Sequence, residues 1–312
     1  MNTSEIKESS LSEITASSLL TSGQTMFAPP WLRSGTINML FAPTGAGKSH
    51  WAFNLSLAVA GGLDWLGQKC TKAKVLYIDG EMGGDAWVRR LSGNFVTGSL
   101  DKTFKMLSPD NFKQGIVPPL SDKRNHAFYL EKCARFDVIF IDNYITCCLP
   151  TTGEDSDIGL FLVLKDLLVK LKRMGKAIVL IHHTNKGGTD QHGTVYKDVI
   201  MDTIFSLRKW PRQYLDNGLS WEVKVVKDRN NFFEKKEETI IDIIFGEKGV
   251  EVFEGDISNC RKTLASDLLD RGYNKNNIAD ELKISINKVL DILNLIKLES
   301  RVTDDPFDYD LV

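Results

Sequence analysis

What this chain lacks narrows its role before any motif is considered. Among its 312 residues no apolar run approaches the roughly 20 needed to cross a bilayer, so no membrane partner is expected. Glu5, Lys7 and Glu8 stand where a secretory leader needs an apolar stretch, and a cytoplasmic location is expected. The five cysteines, Cys70, Cys133, Cys147, Cys148 and Cys260, show no paired CxxC spacing and read as reduced thiols. The formal net charge of −2 gives no overall attraction for polyanions, so any such contact depends on local patches. There is no internal repeat and no low-complexity tract beyond the Ser-, Thr- and Glu-rich residues 1–26, which read as a flexible arm. With 42% hydrophobic and 26% charged residues, the length suits one large α/β domain with a small appendix, or two ordinary domains.

What is present is most specific at residues 42–49, Ala-Pro-Thr-Gly-Ala-Gly-Lys-Ser. The segment follows the apolar run Thr36–Phe41 and opens a helical pattern at Trp51–Ala58, the strand, glycine-rich loop and helix order of a phosphate-binding loop. Small residues let backbone N–H groups converge on phosphates, and the helix N-terminus adds a favourable partial charge. Pro43, Thr44, Gly45, Ala46, Gly47, Lys48, Ser49 and His50 are the candidate nucleotide-binding residues. Lys48 is expected on the β and γ phosphates and Ser49 on Mg²⁺. Ala42 replaces the usual first glycine with another small residue.

Around this loop the chain alternates strand and helix patterns. Runs at 75–78, 138–141 and 177–181 are apolar without alternation, which suits parallel strands buried on both faces. A helix is expected at about 158–174, closed by Gly175. After residue 200 the runs at 204–207, 221–226 and 239–244, separated by polar turns, predict an antiparallel extension. Beyond Gly255 the pattern turns helical. The expected division is an arm at 1–26, an ATPase domain at 27–255 and a helical domain at 256–312.

Three acidic or imidazole-bearing elements close the predicted strands, at the sheet edge where ligands bind. Asp79-Gly80-Glu81-Met82 offers Glu81 as the base that polarises the attacking water. Asp142 follows the second run, where an unneutralised charge is expensive, and is a candidate for holding Mg²⁺. His182 and His183 end the third. Adjacent strand residues point to opposite faces, so the pair suits a γ-phosphate contact better than a metal site.

In this order the elements resemble RecA-like ATPases, in particular the hexameric RepA-type replicative helicases and their AAA_25 relatives, over about residues 27–250. Pro30-Trp31-Leu32 with Gly35, the segment 60–67 and Arg89-Arg90-Leu91 are similar to segments of that group. The resemblance implies Lys48 and Ser49 as phosphate and metal ligands, Glu81 as catalytic glutamate, Asp142 as the Walker B aspartate and His183 as sensor. Lys227-Asp228-Arg229-Asn230 is similar to the Lys-x-Arg motif of DnaB-type helicases, whose basic residues reach a neighbouring subunit's nucleotide; by residue pattern alone the segment is a solvated strand end, with Glu237-Glu238 as alternative partners for Arg229. A ring, by implication a hexamer, would turn the loops Tyr144–Ser156 and Gly187–Asp198 towards single-stranded DNA, with Lys186, His192, Tyr196 and Lys197 supplying charge and stacking, although Glu154 and Asp155 oppose it.

Residues 274–290 resemble a helix-turn-helix with its second helix starting at Ser285, but that helix carries Asp291 beside Lys288 and is otherwise largely apolar. A DNA reader and a bundle packed on its own ATPase core both stay open. The leading expectation is an ATP- and Mg²⁺-dependent, ring-forming DNA helicase or translocase of plasmid, phage or mobile-element replication. The alternative is an ATP-controlled DNA-binding regulator or recombination mediator without unwinding. A small-molecule kinase is disfavoured, since no arginine-rich lid segment is present.

Overall fold

Strands covered on both faces need apolar side chains at every position, and runs of that kind form the middle of one sheet. The computed structural model describes residues 10–13, 23–84, 86–87, 100–148, 157–183, 195–210, 218–233, 238–246, 249–282 and 284–303. In chain order β1 (Met26–Ala28), β2 (Leu32–Arg33) and β3 (Thr36–Ala42) precede α1 (Lys48–Gly61), β4 (Asp64–Trp65) and β5 (Gln68–Lys69). Then come β6 (Val75–Asp79), β7 (Phe104–Leu107), α2 (His126–Ala134), β8 (Val138–Asp142), α3 (Tyr144–Cys148), α4 (Asp157–Arg173) and β9 (Ala177–His183). The chain continues through β10 (Thr203–Lys209), β11 (Gly218–Asp228), β12 (Glu238–Gly246) and β13 (Gly249–Asp256) to α5 (Ile257–Asp270), α6 (Lys275–Leu282) and α7 (Ile286–Thr303).

Among the described residues nine strands form one sheet in the order β13-β12-β11-β10-β3-β9-β8-β6-β7. The six from β10 to β7 run parallel, and β11, β12 and β13 continue the sheet antiparallel; of the runs expected in that extension, 221–226 and 239–244 lie there, whereas 204–207 belongs to β10, which runs parallel to β3. Alternate residues of each central strand enter separate cores. Ile37, Met39, Phe41, Ile139 and Ile141 face the side covered by α2 and α4, whereas Leu40, Val138 and Phe140 face α1. Burial of both faces over these strands supplies the main folding drive.

Helix α1 is buried from Trp51 through Ala60, so it needs cover on its outer side as well. The hairpins β1–β2 and β4–β5 bring that cover. Trp31 and Trp65 pack edge-on against Trp51 at 6.0 and 5.5 Å between ring centres. This gives a physical reason for two of the segments on which the family resemblance rested. The sequence reading did not anticipate either hairpin, nor α2, β7 and β13. Helices α5 to α7 enclose their own small core of Ala265, Leu268, Ile278, Leu282, Val289 and Ile292, and α5 packs on β12 and β13. None of the five cysteines is in a disulfide, and no described helix is long and apolar enough to cross a membrane.

Candidate nucleotide site

Register brings the sequence-marked residues to one sheet edge. Ala42 lies opposite His183 across β3 and β9, and Asp79 lies opposite Asp142 across β6 and β8. The loop after β3 turns through Gly45 at φ +75° and Gly47 at φ +89°, and Gly47 is the N-cap of α1. At Gly47 glycine is required twice over, by the left-handed backbone and because a Cβ would sit 2.9 Å from the Trp221 ring. Trp221 rises from β11 and donates its indole N–H to the Ala46 carbonyl at 2.5 Å. The antiparallel extension thereby supports the phosphate loop from below, a role no local pattern announces.

The Lys48 ammonium is buried and folded back onto the loop, donating to the carbonyls of Ala42 at 2.9 Å and Pro43 at 2.8 Å. Burial lowers its pKa to about 8, while the charges of Asp142 and Glu81 resist the fall. Ser49 and His50 occupy the first turn of α1. The Ser49 hydroxyl bonds Asp142, and the Tyr77 hydroxyl donates to the same carboxylate at 2.7 Å. Burial raises the Asp142 pKa to about 6 against those two bonds, with the nearby charges of Asp79 and Glu81 adding to the rise.

Asp79 is fully buried and serves the turn that follows it. Its carboxylate accepts from the Glu81 N–H at 2.9 Å, the Met82 N–H at 3.1 Å and the Trp87 indole at 2.5 Å. A Cβ on Gly80 would meet Thr146 and Cys147 at 2.8 Å, so the turn lies hard against α3. These contacts present Glu81 to solvent, where Asn143 donates to its carboxylate at 2.8 Å. Asn143 and Tyr77 were not read as site residues, although Asn143 directly follows Asp142.

The two histidines separate as strand alternation requires. His183 is half-exposed and its Nδ1 lies 3.2 Å from the Thr44 hydroxyl, which places it beside the phosphate loop. His182 is buried, and its Nδ1 bonds the His183 carbonyl at 2.8 Å. A carbonyl only accepts, so Nδ1 carries the proton and Nε2 accepts from Lys197 at 2.7 Å. Burial and that ammonium lower the His182 pKa to about 3, so the ring is neutral at ordinary pH.

One expectation is overturned here. Lys197 is not a channel-facing cation. Its ammonium is wholly buried between His182 and Asp157, at 3.0 Å from the latter, and lies 4.0 Å above the Tyr144 ring. A lysine in a polar segment looks solvated until a carboxylate from another helix closes over it. Lys186, His192, Glu154 and Asp155 lie outside the described residues.

Lys227 and Arg229 are not brought to this site. Asp228, between them, pairs with Thr203, which in turn pairs with Asn38 near the start of β3. The four residues from Asn38 to Ala42 span about 13 Å of strand, so both cations sit at the opposite edge of the sheet. There Lys227 donates to the Asp198 carbonyl and Arg229 to that of Val199. Arg229 also lies 4.0 Å from Asp202, with its side chain 44% exposed. Asp202 is its carboxylate neighbour among the described residues, outside which Glu237 and the Glu238 side chain lie.

The donor set suits a divalent cation held jointly with a nucleotide. Among the described residues no three His, Cys, Asp or Glu are placed to hold a metal alone, and the pair Ser49 and Asp142 offers oxygen ligands beside the phosphate loop.

Comparison with known sequences agrees with this geometry. The profile of the AAA domain designated AAA_25 matches residues 7–189, more than half of the chain. The chain belongs to the AAA_25 family. As an AAA_25 protein it is a P-loop ATPase, of a kind that generally works on ATP with Mg²⁺. No curated protein matches the sequence. Among solved structures, a KaiC-like protein from the hyperthermophilic archaeon Pyrococcus horikoshii OT3 superposes with a TM-score of 0.49 at 16% identity, covering 72% of this chain and 94% of that one.

Proposed function

We propose that the chain is a RecA-like, ring-forming DNA helicase or translocase of RepA type that hydrolyses ATP where two subunits meet. One observation carries the reading: Lys227 stands about 10 Å along the sheet from the phosphate loop of its own chain, and Arg229 lies beyond Asp228, at about 13 Å. Cations so placed are useless to their own nucleotide and well placed to serve a neighbour's. On this reading Lys48 leaves the Ala42 and Pro43 carbonyls for the β and γ phosphates. Glu81, oriented by Asn143, takes the proton of the attacking water. His183, beside Thr44, contacts the γ-phosphate and registers its loss. Arg229 of the adjoining subunit, assisted by Lys227, stabilises charge on the phosphoryl group in flight. Ser49 and Asp142 would hold Mg²⁺, which supplies neutralisation of phosphate charge.

The domain division follows as part of the proposal: an arm at 1–26, the ATPase core at 27–255 and a helix-turn-helix-like module at 256–312. The runner-up, an ATP-controlled DNA-binding regulator or recombination mediator, is favoured by the burial of Lys197, which removes a cation from the proposed channel segment. Two measurements separate the readings. Mass with and without ATP and Mg²⁺ gives assembly, and the effect of single-stranded DNA on ATP turnover, followed by opening of a forked duplex, gives the motor. A monomer that hydrolyses ATP at full rate overturns the proposal.

A further inference from the structure

At the β7 margin of the sheet a hollow of about 380 Å³ opens between the amino ends of β6 and β7 and the end of α2. Its floor is apolar, made by Leu76, Met106, Leu107 and Phe136, of which the last three are only partly buried. Its rim is basic. Lys74 precedes β6, Lys102 and Lys105 come from the turn into β7 and from β7 itself, and Lys132 and Arg135 from the end of α2 and the residue beyond it.

Each cation has a local reason, since lysine guards an edge strand and positive charge suits a helix C-terminus. Neither reason gathers five of them around one apolar floor. Of the five, Lys132 alone has a carboxylate at ion-pair distance among the described residues, Glu131 at 3.9 Å. Asp137, which also lies nearby, accepts from the Lys74 backbone N–H at 2.9 Å and not from its ammonium. An occupant suited to this hollow carries carboxylates interleaved with apolar groups.

The chain itself contains such a segment. Asp304-Asp305-Pro306-Phe307-Asp308-Tyr309-Asp310 has four carboxylates, two aromatic rings and no cation; it follows α7 and lies outside the described residues. Reach decides whose hollow it serves. Helix α5 packs on β12 and β13, and β12 stands seven strand spacings, about 34 Å, from β7. Ile296 of α7 packs in the core shared with α5 and α6. From there the rest of α7 and four extended residues carry Phe307 about 24 Å, short of its own hollow.

We propose that the hollow receives residues 304–310 of a second copy of this chain, with Phe307 on the apolar floor and the aspartates on the basic rim. The contact lies at the amino ends of the parallel strands, away from the phosphate loop. It rests on neither the ring nor the helicase reading, because it requires no nucleotide.

The test uses two full-length copies without ATP, one with Phe307 replaced by photoreactive p-benzoylphenylalanine and the other bearing an affinity tag. Irradiation is expected to give a covalent dimer in which the tagged copy is modified within residues 102–107 or 132–136. Lys102→Glu with Lys105→Glu in the tagged copy lowers the yield by about tenfold; both positions are exposed, and an unchanged thermal midpoint verifies the fold. Asp308→Lys with Asp310→Lys in the photoreactive copy does the same, and pairing the two charge-reversed copies recovers the yield. Absence of a covalent dimer, adducts confined to the photoreactive copy or to another surface of the tagged one, or no recovery in the swapped pair overturns the proposal. So does a charge-reversed hollow that leaves the dimer yield intact while weakening the binding of a labelled oligothymidylate, which assigns the hollow to nucleic acid.

Discussion

At the carboxy edge of the parallel strands, polar groups are buried, crowded and tied to one another. Asp142 is gripped by Tyr77 and Ser49, Asp79 by two backbone N–H groups and Trp87, and Lys48 by two carbonyls. At the other edge Arg229 is 44% exposed and rests on a carbonyl, and the strong ion pair there joins Lys172 to the buried Asp202 at 2.6 Å. Among the described residues the first edge is organised in advance but holds no arginine, whereas the second holds Arg229 away from the phosphate loop of its own chain. Under the proposed reading, the contrast means that the sheet separates holding a nucleotide from finishing its chemistry, and each edge would be completed by another copy.

Arg229→Ala strikes at the second edge alone. Turnover is expected to fall by roughly 10³–10⁵ with ATP affinity kept, the range for a transferred arginine. Mixing this variant with Lys48→Ala protein restores part of the rate, since a mixed seam joins an intact loop to an intact finger; absence of rescue breaks the comparison. At the first edge Glu81→Gln lowers turnover by about 10²–10⁴ while ATP still binds, and activity close to wild type refutes the assignment of the base. Asn143→Ala, which frees Glu81 without removing it, loses less: a hydrogen bond to a charged group contributes about 1.5–3 kcal/mol.

Trp221→Ala tests whether the two halves of the sheet are coupled. It removes a wholly buried indole and the bond to Ala46, at a cost of about 3–5 kcal/mol by denaturant unfolding. Trp221→Phe retains most of the packing yet frees the Ala46 carbonyl, so its effect is concentrated in nucleotide affinity.

The smallest expected effect comes from acidity. With its pKa lowered to about 8, Lys48 sheds its proton above that pH in the empty site, whereas phosphate favours the charged form. Binding therefore takes up a proton above pH 8, and affinity falls as pH rises through that value, by at most about tenfold per unit. Titration calorimetry in buffers of differing ionisation heat counts the proton directly. No uptake near pH 9 contradicts the buried, depressed lysine.

The sequence disclosed whatever depends on neighbours along the chain. The phosphate loop, the all-apolar strands β3, β6, β8 and β9 and the carboxylates at their ends are local patterns, as is the alternation of Trp221, Glu222, Val223 and Lys224 that marks the one-sided extension. It concealed partners that only folding brings together. Trp221 and Ala46 are 175 residues apart, Tyr77 and Asp142 are 65 apart, and Asn143 and Glu81 are 62 apart. Lys197 was misread for the same reason, since Asp157 lies 40 residues away. Strand β7 escaped because Phe104-Lys105-Met106-Leu107 is short and half-exposed, with no continuous apolar run to betray it.

The indole beneath the phosphate loop has a practical consequence. On the proposed reading Ala46 belongs to the segment that closes around incoming phosphates, and its carbonyl is the acceptor for Trp221 N–H. Ligand arrival is then expected to perturb a fluorophore already built into the chain, so that the emission difference between the wild type and Trp221→Phe would give a label-free signal for the moment of loading.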